Sequence, residues 1–357
     1  MSSMSSLRFG LHYLLSCAPG QDPQQRYRDT LEQAVRGEAL GFESVWPVEH
    51  HFNRAISICP SPMLLLAAIA ARTSRLRLGT AVIQLPLSHP LRVAEEAAML
   101  DVMSGGRVEL GLGRGSNPSH FAGLGVSLAE SRERLEEGLT LLSRALTGEP
   151  FSFEGAYHRA RDITLSPRPL QVPHPRIHLA ANGQDTLELA GRRGLPVILA
   201  AHVNPLPRLR EYVEVYARSR QAAGHPPPRA EDISLLMPIF VAETKAQVDE
   251  LMAPSVAHYL KLVRTELVPV MERCTVEAER VKLSAMLERM SATRYQDFNG
   301  QMGIFDTPQA CVEKLSRLKK ELGVGRVIGW FNFGGVVPHA AVLRSMELFA
   351  SEVMPAF

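Results

Sequence analysis

Short strand-like runs alternate with longer helix-like runs along almost the whole chain, and this order constrains the fold more than any other feature. Parallel neighbours need crossover connections, so such an alternation predicts a parallel α/β fold. Helical patterns lie between the strands, for example over residues 24–40, 62–72, 90–103 and 128–146. Eight units favour a closed (β/α)8 TIM barrel over an open sheet, and the eight strand candidates are residues 7–14, 44–47, 76–85, 107–113, 176–181, 196–200, 233–241 and 326–333.

Two segments exceed an ordinary barrel connection. Residues 148–175 are rich in proline, glycine and aromatics and predict an extended loop before the fifth strand. Residues 245–303 are long and mostly helical in pattern. Insertions after barrel strands are where this fold commonly builds its specificity. We therefore expect one barrel domain over residues 1–357 with insertions.

The composition narrows the partners and the compartment. The 357 residues are 45% hydrophobic and carry a formal net charge of +2, without basic runs interleaved with aromatics. We therefore expect a well-filled core and no nucleic-acid partner. The N-terminus lacks the pattern of a signal peptide, and no apolar run could span a membrane. The four cysteines are far apart, which disfavours a zinc site or disulfides and fits a reducing cytoplasm.

The segment Glu49-His50-His51-Phe52 follows the second strand, at the end of the barrel where active sites form. A histidine there can act as a general acid or base near neutral pH. The alternative is that the pair only shapes the loop. Adjacent residues on an extended segment point opposite ways and no second ligand cluster is evident, so we expect no metal.

The third and fourth strands carry small residues. Gly79, Thr80 and Ala81 either leave room for a flat ligand or form a tight barrel layer. Gly111 and Gly113 share one strand face and let a ring or a backbone approach closely. The Gly111-x-Gly113 spacing lacks the third glycine of a dinucleotide fingerprint.

Two further elements suggest an anion site. Arg114 ends the fourth strand, where its guanidinium can grip a phosphate, although a surface ion pair is the alternative. Residues 182–186 follow the fifth strand and open a helix, whose free N–H groups favour an anion. Asn182 or Thr186 could instead cap that helix. Together, Arg114 and this helix start would make a phosphate cradle.

Taken in order, these segments resemble the bacterial luciferase family of flavin-dependent monooxygenases. The resemblance covers nearly the whole chain. It is carried by GFESVWPVEHHF (41–52), GTAVIQLP (79–86), HPLRVAE (89–95), LDVMSGGR (100–107), GLPVIL (194–199), TPQ (307–309), SMELF (345–349) and VMP (353–355).

The resemblance implies a barrel that binds reduced FMN at its C-terminal face. His50 matches the family's catalytic histidine, which assists formation and breakdown of a flavin C4a-peroxide. Ala81–Val82 matches a non-proline cis peptide beneath the flavin ring. Residues 245–303 match the lid, of which we expect 275–303 to be mobile without flavin and to close when flavin binds. The residues that match the family's phosphate site are Arg114, Asn182, Gly183 and Thr186.

The implied function is a two-component monooxygenase acting on a small organic molecule. A separate flavin reductase would supply the reduced FMN, and the assembly implied is a homodimer. A deazaflavin-dependent hydride-transfer enzyme of the same fold and a non-catalytic flavin-binding subunit are the alternatives. Gly113 stands where light-emitting luciferases have a reactive cysteine, and Gly183 replaces a hydroxyl side chain at the phosphate.

Overall fold

The computed structural model describes residues 6–272 and 274–357, and within them eight parallel strands close into a barrel. The barrel strands pair in the order β1, β2, β3, β5, β8, β9, β10 and β12, and β12 pairs with β1 to complete the ring. The predicted (β/α)8 barrel is confirmed. The strands are β1 (Arg8–Tyr13), β2 (Ser44–Pro47), β3 (Arg77–Gly79), β4 (Ile83–Gln84), β5 (Val108–Gly113), β6 (Phe151–Glu154), β7 (Arg159–Ile163), β8 (Arg176–Ala180), β9 (Val197–Ala200), β10 (Ile233–Val241), β11 (Ile304–Asp306) and β12 (Arg326–Trp330).

The helices of the described residues surround this ring. None of them is both long enough and apolar enough to cross a membrane. Their bounds are α1 (Pro23–Leu40), α2 (Pro62–Ala70), α3 (Pro90–Ser104), α4 (Pro118–Gly123), α5 (Ser131–Leu146), α6 (Gln184–Arg192), α7 (Leu206–Ala222), α8 (Lys245–Glu272), α9 (Glu277–Ala292), α10 (Tyr295–Gln301), α11 (Pro308–Leu322) and α12 (His339–Leu348).

Local sequence signals explain where several helices begin and end. Pro62 and Pro90 occupy the first helical position, where a missing N–H leaves no bond unmade. The Asp22 carboxylate accepts the N–H of Gln24 at 3.0 Å and starts α1. Gly41 ends that helix with φ of 91°, a left-handed conformation that favours glycine. The predicted boundaries at these positions are confirmed.

Hydrophobic residues fill the barrel and the layer between strands and helices. Inside the ring, the large Trp46 side chain packs with Ile198, Leu236 and Ile328, and Ala81 lies against this cluster. A Cβ on Gly79 would lie 2.2 Å from the Trp46 ring, so the indole already fills that space. For Gly79, the small residue therefore serves a tight barrel layer rather than a ligand.

Three predicted segments differ from the structure. The predicted strand over residues 76–85 is broken into β3 and β4, because the chain leaves the strand conformation at 80–82. The predicted loop 148–175 contains an antiparallel hairpin of β6 and β7. The insert 245–303 forms α8, α9 and α10, and β11 directly after it pairs with the end of β10.

Candidate active site

The loop after β3 is bonded to the loop that carries His50. The peptide bond between Ala81 and Val82 is cis, as expected from the resemblance. Ala81 N–H donates to the Pro47 carbonyl at 2.9 Å, and the Val82 carbonyl accepts from Glu49 N–H at 3.3 Å. Because both sides of this peptide are held by the β2 end, the peptide and His50 lie at one edge of the barrel.

The two glycines of β5 allow close approaches of different kinds. A Cβ on Gly111 would lie 1.8 Å from the Thr80 carbonyl oxygen, so the backbone of the neighbouring strand occupies this space. A Cβ on Gly113 would lie 2.7 Å from Val82 Cγ2 and 3.8 Å from Ala180 Cβ. Gly113, Val82 and Ala180 therefore form a shelf of small side chains beside the cis peptide.

The two adjacent histidines differ in their hydrogen bonds. His51 Nε2 lies 2.8 Å from a Glu49 carboxylate oxygen, so this ring is held in place. His50 Nδ1 is buried and has no hydrogen-bond partner among the residues described. Of the pair, His50 is therefore the one whose ring nitrogen is available for chemistry, which fits the role that the resemblance implies.

His120, on α4, is a site residue that the sequence reasoning missed. Its Nδ1 lies 3.1 Å from the Gln84 side-chain oxygen, which can only accept, so Nδ1 carries the proton. Its Nε2 accepts from the Asn117 amide at 3.2 Å and from His51 N–H at 3.3 Å. The His120 ring is thus fixed as a neutral tautomer. The sequence signal that could have pointed to His120 is the helix start Asn117-Pro118, which follows soon after Arg114.

The rings of His50 and His51 each contact the His120 ring edge to face. The His50 and His120 ring centroids are 4.3 Å apart with an interplanar angle of 87°, and the His51 and His120 centroids are 5.3 Å apart. His50 and His51, although adjacent in sequence, thus both reach the His120 ring. Burial, with the neighbouring histidine charge, lowers the pKa of His50 to about 4 and that of His120 to about 3. Both are neutral at pH 7.

Arg114 is held by two partners at the end of β5. One guanidinium nitrogen donates to Ser131 Oγ at 3.0 Å, and the other donates to a Glu279 carboxylate oxygen at 3.0 Å. The Arg114 side chain is 18% exposed and that of Glu279 is 9% exposed. The contact is thus a largely buried ion pair rather than a surface one. Glu279 lies on α9, inside the insert, and was not predicted.

The start of α6 lies in the same corner. Gly183 is the N-cap residue, and no side chain caps this helix. The Asn182 side-chain oxygen instead accepts from Asn204 at 3.3 Å, so the capping alternative does not hold for Asn182. A Cβ built on Gly183 meets nothing within 4 Å. Thr186 lies half-buried in the first turn.

The first turn of α5 joins these two elements. Ser131 contacts Arg114, and the next residue, Arg132, forms an ion pair with Asp185 in the first turn of α6. Arg114 and residues 182–186 therefore meet around one corner. This corner has a guanidinium that already binds a carboxylate and a helix start with uncapped N–H groups. That donor set fits a phosphate group such as the one on FMN.

An arginine and an uncapped helix start, at the same carboxyl end of a (β/α)8 barrel as a neutral histidine, are typical of the active face of a barrel enzyme. The luciferase-like monooxygenase family matches residues 7–326, and the chain belongs to this family. A relative is the 4-hydroxyprotoasukamycin monooxygenase of Streptomyces nodosus subsp. asukaensis, 30% identical over 349 residues, or 95% of this chain and 89% of that protein.

Solved structures share the architecture over nearly their full length. The monooxygenase RslO1 from Streptomyces bottropensis has a TM-score of 0.80 at 28% identity, covering 98% of this chain and 99% of that one. The oxygenating constituent of 3,6-diketocamphane monooxygenase from Pseudomonas putida, solved with FMN, has a TM-score of 0.78 at 22% identity, covering 98% of each chain.

The same architecture also serves a deazaflavin cofactor. An F420-dependent secondary alcohol dehydrogenase, solved with an F420–acetone adduct, has a TM-score of 0.73 at 19% identity and covers 98% of this chain and 99% of that one. At such identities a likeness shows the fold alone. The family membership supports a flavin-type oxidoreductase.

Proposed function

We propose that this chain is the oxygenase component of a two-component, FMN-dependent monooxygenase that acts on a small organic molecule. The observation that carries the proposal is the pairing of two features at one barrel end. Arg114 and the uncapped start of α6 form an anion corner, and His50, whose buried Nδ1 has no hydrogen-bond partner among the described residues, lies at the same barrel end beside the cis peptide. The FMN-bound relative, named as an oxygenating constituent, supports the same reading.

In this proposal Arg114 and the backbone N–H groups at the start of α6, from Gly183 to Thr186, hold the FMN phosphate. Asn182 stays bonded to Asn204 and shapes the loop. The shelf of Gly113, Val82 and Ala180, with Ala81 of the cis peptide beside it, admits the flat ring. Reduced FMN, when bound, supplies the electrons with which O2 is activated. A separate flavin reductase delivers it, and the resemblance-based homodimer stays a prediction.

His50 moves a proton at Nδ1, the ring nitrogen that has no hydrogen-bond partner in the described part of the chain. A neutral imidazole can take up a proton from a reacting group and return it. Because burial lowers the pKa of His50 to about 4, the ring starts each cycle neutral at pH 7. His120 contacts His50 edge to face and is itself fixed by three hydrogen bonds, so it positions the His50 ring.

A deazaflavin-dependent hydride-transfer enzyme is the second candidate, because the fold also carries F420 and the small residues Ala81 and Gly113 admit either ring. A non-catalytic flavin-binding subunit is disfavoured, because such a subunit needs neither His50 nor the fixed ring of His120. Titration of the purified protein with FMN, reduced FMN and F420 separates the candidates. Tight binding of F420 alone would overturn the proposal.

The phosphate assignment is tested with Arg114→Ala. A charge-assisted hydrogen bond contributes about 1.5–3 kcal/mol, and each 1.4 kcal/mol is about tenfold in affinity. We expect the variant to bind FMN about 10–100-fold more weakly, while riboflavin, which lacks the phosphate, binds almost as before. Arg92→Ala, at an exposed arginine of α3, is the control. Equal losses for both ligands would remove Arg114 from the phosphate site.

A further inference from the structure

The Arg114–Glu279 ion pair joins the candidate phosphate site to the insert. Glu279 lies 165 residues after Arg114 in sequence and belongs to the first turn of α9. Burial raises the pKa of Glu279, but the hydrogen bond and charge of Arg114, helped by Lys282, outweigh this and lower the pKa. Glu279 is therefore ionised at neutral pH and presents an anion to the guanidinium.

Each of the two terminal nitrogens of the Arg114 guanidinium already donates to a partner. One of its terminal nitrogens is already used by Ser131 Oγ, which itself donates to the Leu128 carbonyl at 2.6 Å and so is held in place. The other terminal nitrogen is used by Glu279. Two anions at one arginine repel each other, most strongly where burial limits screening by water. A phosphate that binds Arg114 therefore competes with the carboxylate for the guanidinium.

We propose that Glu279 is a cofactor-selecting residue that competes with the flavin phosphate for Arg114, and that a phosphate-bearing flavin displaces it. This inference rests on the proposed function. Riboflavin carries no phosphate and leaves the ion pair intact. The position of the first turn of α9 then depends on the phosphate of the cofactor and not on its ring. The sequence predicted instead that residues 275–303 are mobile before flavin binds. In the structure the first turn of α9, within that segment, is bonded to Arg114.

The test measures dissociation constants for FMN and riboflavin in wild type, Glu279→Gln and Glu279→Ala. Removing the carboxylate charge removes the competitor, so we expect FMN to bind about tenfold more tightly to both variants. We expect riboflavin affinity to change less than about twofold. Glu277→Gln is the matched control, because Glu277 lies in the same turn but pairs with Arg280 and is exposed.

A double-mutant cycle separates direct competition from a general effect of negative charge. In an Arg114→Ala background, Glu279→Gln should leave FMN affinity unchanged, because the contested partner is gone. The inference is overturned if Glu279→Gln binds FMN within about twofold of wild type, if riboflavin gains equally, or if the gain persists without Arg114. These outcomes leave FMN binding by Arg114 intact. Failure of the wild-type protein to bind FMN would overturn the proposed function as well, and melting temperatures confirm that each variant folds.

Discussion

The two ends of the barrel differ in how their buried titratable groups are paired. At the amino end, Glu109 contacts Arg326 at 2.8 Å, His178 at 2.7 Å and also Arg77, and every charge has an opposite charge beside it. At the carboxyl end, the ring nitrogens of His50, His202 and Trp330 include buried atoms with no hydrogen-bond partner in the described chain. Buried atoms without a partner in the described chain also occur at the amino end, on Glu43, His178 and Arg326, so the two ends differ in how charges are paired and not in whether every atom is bonded.

The same burial has different consequences at the two ends. Burial alone raises the pKa of Glu109, but Arg326, His178 and Arg77 together hold that pKa well below its ordinary value. For His50 and His120 burial has the largest influence. It lowers the pKa of both rings, which are therefore neutral at pH 7. The amino end thus keeps a buried carboxylate ionised, whereas the carboxyl end keeps His50 and His120 neutral.

The largest effect is expected at the carboxyl end of the barrel. His50→Ala should lower product formation about 10²–10⁴-fold, the usual contribution of general acid–base residues. FMN affinity and melting temperature should stay close to those of wild type, because His50 Nδ1 makes no hydrogen bond in the described chain. Single-turnover assays with reduced FMN measure this. His51→Gln is the control, and normal turnover by His50→Ala would transfer the role to His51.

At the amino end, Glu109→Gln should affect stability instead. The substitution takes the nearer counter-charge from Arg326, which is 2% exposed, and leaves it with Glu43 at 3.5 Å. Breaking a buried ion pair by removing one partner costs about 3–5 kcal/mol, and we expect that loss in the free energy of unfolding by urea. FMN affinity under folded conditions should not change. Glu95→Gln on exposed α3 is the control, and a similar small loss for both variants would contradict the contrast.

The pH dependence of stability follows from the neutral histidines of the carboxyl half. Burial lowers the pKa of His12 and His120 to about 3 and that of His50 and His202 to about 4. Below about pH 6.5 these histidines bind protons in the unfolded chain but stay neutral in the folded chain. Their contribution to stability is therefore constant above that pH and is lost as the pH falls below it. Each histidine contributes about 1.4 kcal/mol per pH unit.

Urea unfolding between pH 7 and about pH 5 measures this slope, in a window where most carboxylates stay ionised. His120→Asn should reduce the slope by the share of one histidine. An unchanged slope would mean that His120 titrates alike in the folded and unfolded states.

Much of the barrel could be predicted because its signals are local. Each of these signals affects only the few residues around it: the apolar runs, the prolines at helix starts and Gly41. The observed strands and helices lie where these signals predict them. The break between β3 and β4 has no such signal in strand periodicity, because the apolar run continues through it. The short strand β11 was not predicted, because three residues are too few to show the periodicity of a strand.

The candidate site was predictable only where a residue follows a strand. Strand ends meet at one face, so His50, Arg114 and the 182–186 loop could be grouped before the structure was known. His120 and Glu279 reach the site from α4 and from the insert, and no local pattern predicts contacts over such separations. The partner that occupies Arg114 is therefore a property of the tertiary structure.

The smallest predicted effect is a gain at the carboxyl end from Gly183→Ser. Gly183 has φ of −161°, an extended conformation that any residue adopts, and a Cβ there meets nothing within 4 Å. A serine hydroxyl at this N-cap can donate to the phosphate, and a hydrogen bond of about 0.5–1.5 kcal/mol corresponds to FMN binding about 2–10-fold tighter. Gly183→Ala fills the same space without a hydroxyl and is the matched control. Serine also caps helices slightly better than glycine, by a few tenths of a kcal/mol, so melting temperature is recorded for both variants. If alanine improves FMN affinity as much as serine does, the gain comes from the backbone and the start of α6 does not contact the phosphate through this position.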